Sequence, residues 1–115
     1  MIIGLGIDVT QVSRFTRAAA REGLLERVFT PAERDASMQR MAGRFAAKEA
    51  LAKALGAPSG LVWTDVEVCA DETGKPFFSC TGTVARRVAE LGIGQLHLSI
   101  THDAGIAAAV VVCEA

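Results

Sequence analysis

Residues 44–56 read RFAAKEALAKALG, and the rest of the chain is arranged around this stretch. Alanine, leucine, lysine and glutamate favour the helix because they lose little rotamer freedom in it. Within the stretch no proline or glycine intervenes until Gly56, with Pro58 just beyond, and the pattern predicts a helix from about Met38 to Gly56. At about 100° per residue, Met38, Met41, Phe45 and Ala52 share one angular sector, the expected core face. Glu49 falls in that sector too. A carboxylate there loses hydration and needs compensation. The spacing leaves two kinds open: Lys53, four residues on in the favourable Glu-before-Lys order, or a metal ion or substrate proton brought from outside.

With 115 residues the chain is expected to form a single domain, 1–115, because a second would leave neither half an adequate core. Half of the residues are hydrophobic, which excludes a disordered chain. A net charge of −1 gives no argument for nucleic acid as a partner. Cys69, Cys80 and Cys113 are odd in number and lack metal-ligand spacing, so they read as reduced thiols in a cytoplasmic protein. The start, MIIGLGIDVTQVSR, lacks the basic segment of a signal peptide, and IAAAVVVC is strand-sized, so no membrane association is expected.

Residues 2–9 alternate as a strand, with Ile3, Leu5, Ile7 and Val9 on one face and Gly4, Gly6 and Asp8 on the other. Glycine inside a strand marks a close approach by another backbone or a ligand, and Asp8 ends that bare face. Asp8 reads equally as a turn or cap residue and as a ligand. Residues 11–22 predict a helix presenting Arg14, Arg17 and Arg21 on one face, which suits either plain solvation or an acidic partner. Thr30-Pro31-Ala32-Glu33 is a helix-start signature, with the short helix running to about Ser37. Arg40, Arg44 and Lys48 give the long helix a basic edge, read as solvated or phosphate-holding. Residues 62–70 and 75–80 predict a hairpin with Pro76 at an edge or a strand start. Residues 82–92 predict a helix with Val84, Val88 and Leu91 inward. Strands at 95–102 and 105–113 flank a turn at His102-Asp103-Ala104-Gly105, and the second is apolar enough to be buried on both faces, within the domain or in an oligomer.

Together GLGIDVTQVSRF, VFTPAE, RFAAKEALAKALG, the ETGKP turn and HLSITHDAGIAAAVVV resemble the small holo-acyl-carrier-protein synthases, which are 4′-phosphopantetheinyl transferases. The motifs occur in order from residue 2 to residue 113. The resemblance implies an α+β fold, the 4′-phosphopantetheinyl transferase fold, with a long central helix packed on an antiparallel sheet. It also implies a homotrimer with active sites between subunits. The implied reaction moves phosphopantetheine from coenzyme A to a serine of an apo acyl carrier protein, with Mg2+ and with release of 3′,5′-ADP.

The resemblance also assigns roles. Asp8 and Glu49 match the metal-binding carboxylates, and magnesium needs only one or two of these. Glu49 is also a candidate base for the serine proton, and Lys53 a partner for phosphate or transition-state charge. Arg44 and Lys48 are candidates for the coenzyme A phosphates. Gly74, Lys75 and Pro76 match the segment that holds the adenine nucleotide, and Ser99, Thr101 and His102 match an H-x-S-x-x-H segment that contacts its phosphates. Asp103 has two readings, as an aid to metal or water placement or as a turn former. Glu49, Lys53, His102 and Asp103 are thus the expected catalytic set, and Arg14, Arg17 and Arg21 the docking site for the acidic carrier protein. Two alternatives share these residues: a magnesium-dependent hydrolase of nucleotides or coenzyme A, and a non-catalytic module that binds carrier protein.

Overall fold

A computed structural model describes residues 1–115, with the side chain of Asp35 alone outside the description. Strand β1 (Ile2–Gln11) leads into helix α1 (Val12–Ala19), a short helix α2 (Leu24–Val28) and a 3-10 turn at Pro31–Asp35. Helix α3 (Met38–Ala54) follows, then a 3-10 turn at Trp63–Asp65 and strands β2 (Val66–Ala70) and β3 (Pro76–Cys80). Helix α4 (Gly82–Glu90) and strands β4 (Gln95–Asp103) and β5 (Ile106–Glu114) complete the chain. Strands β1, β5 and β4 form an antiparallel sheet in that order, while β2 and β3 pair separately. The expected α+β arrangement of a long helix on an antiparallel sheet is present, with the strands divided between two sheets.

The deepest face of α3 differs from the expected sector. It consists largely of alanine: Ala42, Ala46, Ala47, Ala50 and Ala54 are buried with Met41 and Leu51, whereas Met38, Phe45, Glu49 and Ala52 are only partly covered. The cause lies in β1. A Cβ on Gly4 or Gly6 would collide with the carbonyl oxygens of Ala54 and Ala50, so bare strand meets bare helix at backbone distance. On the same sheet face Ala107, Ala109, Val111 and Cys113 of β5 are buried against the helix. Leu51, Leu55, Val66, Val68, Val84 and Leu98 complete this core, with Val88 of α4 and Leu91 just beyond it packed on it as expected. A second core holds Phe15, Val28, Phe29 and Met41, and Phe45 links it to Trp63 through rings stacked at 6.0 Å.

Other expectations need adjustment. The helix foreseen over 11–22 stops at Ala19, Arg21 lies in the turn beyond it, and Gly23 at φ +80 starts α2, too short to show a period. At Thr30 the expected capping box forms, with Glu33 accepting the Thr30 N–H at 2.8 Å, and the Thr30 hydroxyl also donates to Glu67 at 2.7 Å. The segment remains a 3-10 turn. His102 and Asp103 stay within β4, and the loop to β5 is Ala104-Gly105, with φ values of +52 and +76, matching the twist of a two-residue hairpin. Strand β5 is covered by the chain on one face only. On the other, Ala108, Val110 and Val112 lie beside Val9, Ile7 and Leu5 in register. Leu5, Ile7 and Val9 are 66%, 63% and 60% exposed. No helix among the described residues is long and apolar enough to cross a membrane.

Lys48 is the largest departure. It is not on a solvated edge but is 2% exposed. Its ammonium donates to Glu33 Oε1 at 2.7 Å, to the Val28 carbonyl at 2.7 Å and to the Trp63 carbonyl at 3.0 Å, which engages all of its N–H groups. Glu33 also accepts the Val68 N–H at 2.7 Å. Burial lowers the Lys48 pKa, and Glu33 works against that shift. Lys48, with every N–H taken by protein acceptors, is not free to hold a phosphate as expected. Lys48→Met should cost about 3–5 kcal/mol in denaturant unfolding, because it strands a buried carboxylate. Arg40→Met, at an exposed position of the same edge, should stay within about 0.5 kcal/mol.

Candidate active site

The glycine contact that seats β1 on α3 also sets the position of Asp8, two residues beyond Gly6 on the same strand face. Asp8 and Glu49 line one cleft of about 460 Å³ between β1, α1 and α3, together with Lys53, Arg14, Phe15 and Phe45. Lys53 donates to Asp8 Oδ1 at 3.3 Å and to the Ile7 carbonyl at 2.9 Å. The Thr10 hydroxyl donates to Asp8 Oδ2 at 3.1 Å. Thr10 was absent from the expected site, although the period of two in β1 puts it on the face of Asp8.

The Glu49–Lys53 pair, one of the two compensations the spacing left open, is not formed. Lys53 turns to the strand, where a carboxylate and a free carbonyl converge, and among the described residues no salt bridge reaches Glu49. Burial therefore raises the Glu49 pKa above the usual glutamate range, the Asp8 charge raises it further, and Lys53 offsets part of the rise. Two adjacent carboxylates, one of them without a cation of its own, form an oxygen donor set that a hard divalent ion fits.

The expected nucleotide residues lie elsewhere and fall into two groups. Arg44, Gly74, Pro76 and His102 line a groove of about 330 Å³ with Arg40, between α3, the β2–β3 hairpin and the end of β4. Its rim is held by Asp71, whose Oδ1 accepts from the Thr73 and Lys75 backbone N–H groups at 2.8 and 3.0 Å. Those bonds and the Thr73 hydroxyl keep the Asp71 carboxyl below the usual aspartate range. Lys75, Pro76 and Ser99 line a second groove, of about 440 Å³, with His97, Val110 and Val112 on the outer sheet face. Strand alternation is responsible, since Ser99, Thr101 and Asp103 point away from the side taken by His102. Thr101 and Asp103 are exposed. Arg14, Arg17 and Arg21 are exposed as well, and of these Arg14 reaches the carboxylate cleft. His102 packs on Gly43, six residues before Glu49, which is about 9 Å along α3 and about 120° around it. The carboxylates and the groove of Arg44 and His102 are thus separate places on one chain.

The folded pKa of Glu49 exceeds its unfolded value, so its stabilising contribution is complete below the ordinary glutamate value and is lost as pH rises through the folded one. Carboxyl carbon NMR titration should show the Glu49 midpoint falling in Asp8→Asn and rising in Lys53→Met. Over that pH window, Glu49→Gln should flatten the decline in stability.

Comparison with known proteins agrees with this architecture. Residues 4–111 match the model of the 4′-phosphopantetheinyl transferase superfamily. The holo-[acyl-carrier-protein] synthase of Clavibacter michiganensis is 53% identical over 115 residues, covering 99% of this chain and 97% of that protein. The crystal structure of holo-[acyl-carrier-protein] synthase from Neisseria meningitidis superposes with a TM-score of 0.87 at 31% identity, covering 100% of both chains. The Helicobacter pylori enzyme in complex with coenzyme A gives a TM-score of 0.84 at 32% identity, covering 96% of this chain and 99% of that one. With the fold, the paired carboxylates and relatives matched over nearly their whole length, the chain belongs to the 4′-phosphopantetheinyl transferase superfamily.

Proposed function

We propose that this chain transfers the 4′-phosphopantetheine group of coenzyme A to a serine hydroxyl of an apo acyl carrier protein, releasing 3′,5′-ADP. In this reading Asp8 and Glu49 hold Mg2+, and each site is completed by a neighbouring copy in a cytoplasmic homotrimer. The single observation that carries the residue assignment is Glu49: a carboxylate without its own cation, facing Asp8 in a cleft open to a substrate. The transfer itself rests on the family match and on the end-to-end similarity to holo-[acyl-carrier-protein] synthases.

In the transfer, the serine oxygen bonds to the phosphorus that carries pantetheine, and the bond from that phosphorus to the bridging oxygen breaks. The bridging oxygen leaves with 3′,5′-ADP. Asp8 and Glu49 would hold a divalent ion, whose charge would neutralise the pyrophosphate oxygens. Glu49, which lines the cleft beside Asp8, takes the serine proton. Lys53, held at the strand by the Ile7 carbonyl, balances charge beside Asp8. Arg44 and His102 hold phosphates in their groove, the Gly74–Pro76 rim holds the nucleotide, and Lys75, Ser99 and Thr101 serve it from the outer face. Asp103, exposed at the strand end, acts as a strand terminus in this reading. Arg14 meets the carrier protein at the mouth of the carboxylate cleft, and Arg17 and Arg21 extend that basic surface.

The trimer reading is supported by the outer sheet face. Leu5, Ile7 and Val9 continue across Val112, Val110 and Ala108 as an apolar surface with nothing of the chain over it. Such surfaces mark protein interfaces. Val110 and Val112 also line the groove of Lys75 and Ser99, so a copy covering this face meets the nucleotide residues. A copy so placed can bring its carboxylate cleft to a groove that one chain keeps apart from its own.

Intact-mass measurement of an apo carrier protein with this protein, coenzyme A and Mg2+ should show the gain of one phosphopantetheine. The gain should vanish on chelation and in Glu49→Ala. Binding of the carrier without transfer would favour the non-catalytic module instead, and release of 3′,5′-ADP without a mass gain would favour the hydrolase. Mixing inactive Glu49→Ala with inactive His102→Ala after subunit exchange should restore part of the activity, as sites built from two copies require. No recovery in exchanged mixtures would return the site to a single chain.

A further inference from the structure

We propose that Gly43 is the positioning residue for His102: by lacking a side chain it admits the imidazole onto α3, where the Gln39 carbonyl fixes the ring with Nδ1 turned over to the ligand. This rests on the reading above that the groove of Arg40, Arg44 and His102 receives nucleotide phosphates.

Gly43 lies inside a helix, where glycine is disfavoured, and its φ is not positive, so backbone conformation does not require it. Space does. A Cβ there would lie 2.7 Å from His102 Nε2, 3.2 Å from its Cε1 and 3.1 Å from Ile100 Cγ2. The ring fills the volume that a side chain would take. Its Nε2 lies 3.1 Å from the carbonyl oxygen of Gln39, four residues before Gly43. A carbonyl only accepts, so Nε2 carries the proton and donates it. In an α-helix that carbonyl also serves the N–H of residue 43, and the ring uses the second lone pair.

Two consequences follow for the groove. The nitrogen left for a ligand is Nδ1, and the ring enters the encounter already oriented, as imidazoles held at one nitrogen do. An anion held by Arg40 and Arg44 meets Nδ1 as a donor when the ring is an imidazolium, a role that His97 on the outer face does not share. There the other histidine of the chain is bonded to Glu114 Oε1 at 2.9 Å.

The test uses Gly43→Ala in the full chain. The nearest atom in the way is the far end of the His102 ring, and Ile100 Cγ2 need give only a few tenths of an ångström, so the helix should form and the melting temperature should change by no more than about a few degrees. With 15N-labelled histidine, wild-type His102 should show the Nε2–H tautomer and respond to added 3′,5′-ADP. Gly43→Ala should lose that tautomer preference while the His97 signals stay in place. Its KM for coenzyme A should rise about tenfold, the effect of one charge-assisted hydrogen bond, with the KM for carrier protein within about twofold. On a His102→Ala background, Gly43→Ala should have no further effect. An unchanged tautomer and KM in Gly43→Ala, beside an impaired His102→Ala, would overturn the inference alone, as would an undiminished effect on the His102→Ala background. Wild-type kinetics in His102→Ala would overturn the phosphate reading of the groove and the inference with it.

Discussion

Strand β1 and helix α3 meet with almost no side chain between them. Gly4 and Gly6 face the carbonyl oxygens of Ala54 and Ala50, at a separation that one added methyl group would abolish. Residues of the strand beyond the glycines are consequently carried to a definite place on the helix. Asp8 comes to Lys53 and Glu49, and Thr10, the next residue on that face, closes on Asp8 from the other side. The carboxylate cleft is therefore a product of the tightest backbone packing in the molecule. This gives it rigidity where two like charges have to be held close to one another.

Another side of α3 is secured in a different way. The Lys48–Glu33 pair, enclosed by protein, gathers the end of α2, the Pro31 turn, the Trp63 turn and the start of the hairpin on a single ammonium and a single carboxylate. A pair this buried owes its place to complete hydrogen bonding more than to charge attraction, since desolvation opposes it. Arg44, one turn earlier, donates to the Glu33 carbonyl at 2.7 Å, so the groove where it stands beside His102 depends on the same junction.

These anchors put the carboxylates and the basic groove on different sides of one helix, while the outer sheet face is left apolar. The combination is economical for an oligomer. In the proposed oligomer each chain would present one part of a site, and the apolar face that would join copies carries Lys75 and Ser99 along its edge. If the exposed arginines dock the carrier protein as proposed, their charge would govern how it arrives more than how firmly it is held.

Much was legible in the chain by itself. The extent of α3, the alternation in β1, the hairpin with Pro76 at a strand start, the inward face of α4 and the last two strands follow from local propensity and period, which act over a few residues. The pairing of Asp8 with the Glu49 region was readable from bare glycines and a misplaced carboxylate, together with a family resemblance. Lys48, Lys53 and His102 were not readable in this way. Lys48 and Arg44 stand at equivalent spacing on one edge, yet one is enclosed by carbonyls from three distant segments and the other borders a groove. Lys53 left its helical neighbour for a strand 45 residues away, because the Asp8 carboxylate and a free carbonyl converged there. The sequence by itself determined which elements form and which residues carry charge. Only the tertiary structure decided which charges are buried, which are paired and which are left for a ligand, because desolvation and hydrogen-bond partners depend on segments that meet only when the chain is folded.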